Sequence, residues 1–87
     1  MITVQWDEKK NELLQKDRGV SFEEVAHIIM ENGVIDVLPH NNQDKYPNQK
    51  LFIVKIRDYI YIVPFVEDKE KIFLKTIIPS RKYKKKY

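Results

Sequence analysis

The chain opens on an alternation. Apolar Ile2, Val4 and Trp6 are interleaved with Thr3 and Gln5, which predicts a short strand with one buried face. The period then changes. Asp7 stands where a helix N-cap belongs, and Glu8 puts a negative charge in the first turn, where the helix dipole favours it. Residues 8 to 17 are mostly good helix formers, Leu13 and Leu14 are the core-facing positions, and Gly19 ends the segment. A second helix is announced by Ser21-Phe22-Glu23-Glu24, a capping box in which Ser21 and Glu24 satisfy each other's backbone amides. Phe22, Val25, Ala26, Ile28 and Ile29 then recur at helical spacing, and Asn32-Gly33 supplies the stop.

The rest of the chain reads as strands. Residues 34 to 38 form a short one, and residues 39 to 50 a long polar loop with two prolines. Residues 51 to 57 are β-rich, Arg57-Asp58 is a tight turn, and residues 59 to 66 return. Pro64 lacks a ladder donor, so a bulge or an edge is expected there. Residues 67 to 70 make the next turn, residues 71 to 78 the last strand, and Pro79 closes it. Segregated helices followed by consecutive strands predict one α+β domain spanning residues 1 to 87. Two N-terminal helices would pack on one face of a small, largely antiparallel sheet of about four to five strands, leaving the other face open.

Composition narrows the chemistry. Eighty-seven residues bury one modest core, and ten aromatics argue against disorder. The absence of cysteine removes disulfides and thiol nucleophiles and suits a cytoplasmic setting. The start lacks the pattern of a secretory signal, and the apolar runs are too short for a membrane span. His27 and His40 belong to no ligand-spaced cluster, so no metal and no cofactor is expected; His27 reads as a helix-surface or boundary residue beside the apolar stripe. The two glycines look like helix stops rather than a phosphate loop, and Ser21 is engaged as a cap.

Charge placement is uneven. Residues 69 to 87 hold eight Lys or Arg and one acid, a net of +7, whereas residues 1 to 68 hold eight bases and twelve acids, a net of −4. Such asymmetry marks either a solubilising tail or an end that faces a polyanion. Lys, Arg, Tyr and His in the loop at 39 to 50 and around 79 to 87 suit one reaction that needs no metal. RNA carries its own nucleophile, the 2′-hydroxyl, so a protein can cleave it by moving protons and stabilising charge on the phosphate. Arg is the natural phosphate ligand, because its planar fork binds two oxygens and stays charged. Tyr59, Tyr61 and Val63 share one strand face, where aromatics either stack on bases or enter the core; the alternation favours the core.

Several segments together resemble the BrnT toxin family. Residues 4 to 25, VQWDEKKNELLQKDRGVSFEEV, carry the aromatic-Asp pair at Trp6-Asp7, a Lys three positions later at Lys10, and the Gly-Val-Ser-Phe-Glu-Glu helix start at residues 19 to 24. Residues 72 to 82, IFLKTIIPSRK, are similar to the family's final strand and its Ile-Ser-Ala-Arg-Lys segment, with Arg81 on the arginine. The chain departs from the pattern at Asp17-Arg18, where the family often has Lys-His, and at Pro79-Ser80 before the arginine.

The resemblance implies a RelE/ParE-type fold and a toxin of a type II toxin–antitoxin pair. It implies a metal-independent endoribonuclease that inhibits translation. The partners it implies are RNA and a small DNA-binding antitoxin, commonly of ribbon-helix-helix type, through which operator DNA is reached. On that reading Arg81 holds the scissile phosphate, Tyr83 or His40 handles protons, and Lys10, Lys50, Lys75 and Lys82 bind or orient RNA. Two other readings stay open: a non-catalytic protein- or RNA-binding module, and a toxin of the same fold with another target such as DNA gyrase.

Overall fold

The computed structural model describes residues 2–39, 44–45 and 48–81. Strand β1 (Thr3–Trp6) leads into helices α1 (Glu8–Arg18) and α2 (Phe22–Met30). Strands β2 (Asp36–Pro39), β3 (Gln49–Ile56), β4 (Tyr59–Asp68), β5 (Lys71–Leu74) and β6 (Ile78–Pro79) follow. No helix among these residues is long and apolar enough to cross a membrane.

The helix boundaries follow from their caps. The Asp7 carboxylate accepts the backbone N–H groups of Lys9 and Lys10 at 2.9 and 3.2 Å, and Gly19 closes α1 at φ 68°. At α2 both halves of the capping box form: Ser21 Oγ accepts the Glu24 N–H at 3.2 Å, and the Glu24 carboxylate accepts the Ser21 N–H at 3.1 Å. Only Leu14 of the expected leucine pair is buried; Leu13 is 57% exposed. Adjacent helical positions lie about 100° apart, so a narrow contact stripe takes one of the two.

The sheet runs in the order β1-β5-β4-β3-β2, with β6 also paired to β4. It is mixed, and this corrects the largely antiparallel sheet expected from sequence. The β2–β5 meander reverses at each turn and is antiparallel throughout, but β1 lies parallel to β5, Thr3 opposite Lys71 and Trp6 opposite Leu74. A parallel pairing needs a long crossover connection, and the helix pair begins the path that supplies it. The register also puts Val4 and Trp6 on the same face as Ile72 and Leu74, beneath the helices.

The expected last strand, residues 71 to 78, is broken in two. β5 pairs with residues 65 to 68 of β4, and β6 pairs with Tyr61 and Ile62. Pro64 stands opposite the break, where its carbonyl accepts the Lys75 N–H at 2.8 Å. In a strand a residue's N and C=O point to the same side, so the donor that Pro64 lacks would face the gap in the ladder. The expected irregularity is real but falls on the partner strand. At the β3–β4 turn Arg57 and Asp58 have φ of 48° and 65°, the left-handed pair that a two-residue hairpin requires.

The core lies between helices and sheet. Leu14, Val20, Phe22 and Val25 meet Phe52, Val54 and Ile56 of β3, Val63 and Phe65 of β4, and Ile72, Leu74 and Ile77. Trp6 stacks on Phe22 at 5.9 Å between ring centroids, and Phe52 on Phe65 at 3.8 Å. Tyr61 and Val63 belong to this layer, as the alternation predicts. The opposite face is only partly open: Leu51, Ile53 and Ile60, which alternate with the helix-facing residues, are 5%, 0% and 2% exposed.

Candidate functional site

Arg81 stands two residues past the end of β6. The Ser80 N–H donates to the Ile60 carbonyl at 3.0 Å, which ties this point of the chain to the start of β4. Ser80 is buried and Arg81 is exposed. Among the described residues Arg81 makes no ion pair. A sheet-edge ion pair would be its ordinary structural use; here the residue is exposed and forms no such pair with a described acid.

A cleft of about 330 Å³ lies between α1 and the break that separates β5 from β6. It is lined by Lys10, Leu13, Leu14, Asp17, Arg18, Thr76 and Ile78. Arg18 is anchored by a hydrogen bond from Nη1 to the Ile77 carbonyl. An arginine has five N–H donors, so one such bond leaves most of the fork unused. Lys10 and Arg18 therefore share one wall system with an acid, Asp17, and with the hydroxyl of Thr76.

The other lysines expected to bind RNA are dispersed. Lys75 sits beside Thr76, but its Nζ lies over the Phe73 ring, 5.3 Å from the centroid. Lys50 pairs with Glu67 at 3.8 Å. It stands opposite Phe65 in the ladder, five positions along β4 from Ile60, which is about 17 Å at the rise of a strand. Lys50 thus lies far from the Ser80–Arg81 end. His40, Tyr83 and Lys82 lie outside the described residues. His27 is a surface residue, its side chain 71% exposed and 3.3 Å from Glu31. Among the described residues no three His, Asp or Glu side chains gather as a metal site would require.

Two features were missed in the sequence. In the sequence Arg18 stands out only as part of the departure at Asp17-Arg18, because its contact with Ile77 spans 59 positions of chain. Phe73 was absorbed into a generic last strand. The signal for it was present: in Lys71-Ile72-Phe73-Leu74-Lys75 the two aliphatic residues take one face and the Lys, Phe and Lys the other. Neither a protein-family profile nor any curated protein or solved structure matches this chain.

Proposed function

We propose that this protein is the toxin of a type II toxin–antitoxin pair with a RelE/ParE-like fold, acting in the cytoplasm as an endoribonuclease that stops translation. The observation that carries the reading is Arg81: exposed, without an ion pair among the described residues, and placed just past the last strand within the +7 segment of residues 69 to 87. The order strand, two helices, then strands is also the one that the resemblance to BrnT toxins implies.

The chemistry needs few groups. The 2′-oxygen of one nucleotide loses its proton to a base and attacks the adjacent phosphorus, and the 5′-oxygen of the next nucleotide departs with a proton from an acid. Charge builds on the non-bridging oxygens between these events. Arg81 is suited to meet it with two parallel N–H bonds. His40 and Tyr83 are the candidates for proton transfer, and Lys10, with Arg18 in the same cleft, for holding the RNA backbone. The cognate antitoxin, a small DNA-binding protein of ribbon-helix-helix type, would neutralise the toxin by covering this end with an acidic arm.

One observation favours a second reading. Lys50 lies far along β4 from the Ser80–Arg81 end and Lys75 turns to the Phe73 ring, and a scattered set of cations suits a non-catalytic binding module better than a reaction centre. The two readings separate on induction of the protein alone in a bacterium, beside its Arg81→Ala form, with growth and labelled-amino-acid incorporation followed together. The ribonuclease reading expects prompt translation arrest by the native form only. Arrest by both forms removes Arg81 from the centre, and arrest by neither favours the binding module. Replication stopping before translation would point to a target such as DNA gyrase.

A further inference from the structure

The sheet face turned away from the helices has two unlike parts. Across β3 and the start of β4 it is closed, with Leu51, Ile53 and Ile60 buried. Across β1 and β5 it is open. Ile72 and Leu74 are 6% and 0% exposed in the core, so Lys71 and Phe73 point the other way. Phe73 is 36% exposed. Lys75, just past the end of β5, brings its ammonium group over the same ring. On β1, Thr3 stands opposite Lys71 and Gln5 opposite Phe73, both exposed. On β4, half-buried Val66 stands opposite Phe73. Asp68, opposite Lys71, is the acid nearest in register, yet neither Lys71 nor Lys75 forms an ion pair among the described residues.

A lone exposed apolar side chain is ordinary on any protein surface. Here the ring has a cation before it and a cation after it on one strand face, Lys71 about 7 Å away along the strand, with a hydroxyl and an amide at its side. An aromatic ring offers stacking to any base, the cations offer charge to the phosphates, and Thr3 and Gln5 offer hydrogen bonds. A duplex has no use for this ring, because its bases are already stacked; an unpaired strand does.

We infer that Lys71, Phe73 and Lys75, with Thr3 and Gln5 beside them, form a platform for single-stranded RNA: one base takes the place of the Lys75 ammonium over the Phe73 ring, and the two lysines hold the phosphates on either side. This deepens the ribonuclease reading by naming where the substrate strand lies, and it rests on that reading only for what happens after binding. Binding itself can be measured without cleavage.

The probe is a fluorescent 12-nucleotide 2′-O-methyl oligouridylate, which lacks the nucleophile, titrated by anisotropy across a salt series. The proteins are the native chain, Phe73→Leu, Phe73→Tyr and the double variant Lys71→Gln/Lys75→Gln. Phe73→Leu should weaken binding about tenfold, the order expected for one stacked base, and Phe73→Tyr should restore it. The lysine pair should lower the slope of log affinity against log salt by about 1.4, at roughly 0.7 per phosphate contact on a single strand. Native affinity in Phe73→Leu, an unchanged salt slope, or equal sensitivity with duplex RNA would each overturn the platform. Phe73→Leu that loses binding while native protein fails to arrest translation leaves the platform standing and removes the toxin. Translation arrest by native protein, with RNA binding indifferent to Phe73, removes the platform and leaves the toxin.

Discussion

Asn11 on α1 accepts the backbone N–H of Phe22 on α2 at 2.7 Å, and the whole Asn11 side chain is 0% exposed. The same amide donates to Glu23 at 2.6 Å and to Glu8 at 3.3 Å. One buried polar group thus satisfies a first-turn N–H of the second helix, which no intrahelical carbonyl can reach, and locks the two helices in register.

Replacing Asn11 should therefore be costly. Asn11→Ala leaves the Phe22 amide buried without its acceptor and opens a small void, for a loss of about 2–3 kcal/mol. Asn11→Asp keeps the acceptor but sets a carboxylate beside Glu8 and Glu23, and should also destabilise. Urea unfolding followed by far-UV circular dichroism reads both. A loss below about 0.5 kcal/mol for Asn11→Ala would contradict the clamp.

Gly19 isolates a backbone effect. Its φ is +68°, and a Cβ there would meet nothing within 4 Å, so crowding contributes nothing. Gly19→Ala should cost about 1–2 kcal/mol from the left-handed conformation alone, and Gly19→Asn clearly less, because Asn tolerates that region. Thermal midpoints of the two variants should fall in that order, and equal midpoints would defeat the argument.

Glu24 has two unrelated duties. It completes the capping box at Ser21 and accepts a 2.8 Å bond from Arg57 Nη1; Arg57 also donates to the Gly19 carbonyl. The Arg57 side chain is 61% exposed, and the Glu24 side chain 35%. Exposed ion pairs contribute little, so a double-mutant cycle of Arg57→Ala with Glu24→Ala should return a coupling below about 1 kcal/mol that shrinks with added salt. A coupling above about 2 kcal/mol would mean the pair is far better shielded than its exposure indicates.

Arg81 and Lys50 should separate cleanly. Arg81→Ala should leave stability within about 0.5 kcal/mol, as expected for an exposed side chain without an ion pair among the described residues, while abolishing growth arrest. Lys50→Ala removes only a half-exposed pair with Glu67, so it should cost less than about 1 kcal/mol and leave arrest intact. Growth curves with melting curves on the same proteins give both answers; loss of arrest in Lys50→Ala alone would move the candidate site to the other end of β4.

Wherever a rule is local, the sequence alone determined the outcome. Asp7, Ser21 with Glu24, and Gly19 bracket two helices because capping satisfies backbone groups within four residues of the cap. The tight turn at Arg57-Asp58 and the core assignment of Val63 follow from local alternation and turn chemistry in the same way. The candidate site was legible only in part: Arg81 was picked out by resemblance, whereas no local signal shows that Lys50 lies far from the Ser80–Arg81 end or that Lys75 turns to Phe73. Tertiary structure decided whatever depends on which distant segments meet. It set β1 parallel to β5, split the last strand opposite Pro64, chose Leu14 over Leu13 for the core, and placed Lys50 against Glu67. Alternation along β5 shows that Phe73 and Ile72 face opposite ways, but not which face the helices cover. That choice rests on burial summed over many pairs far apart in sequence, and it is why Ile72 went into the core and Phe73 into solvent.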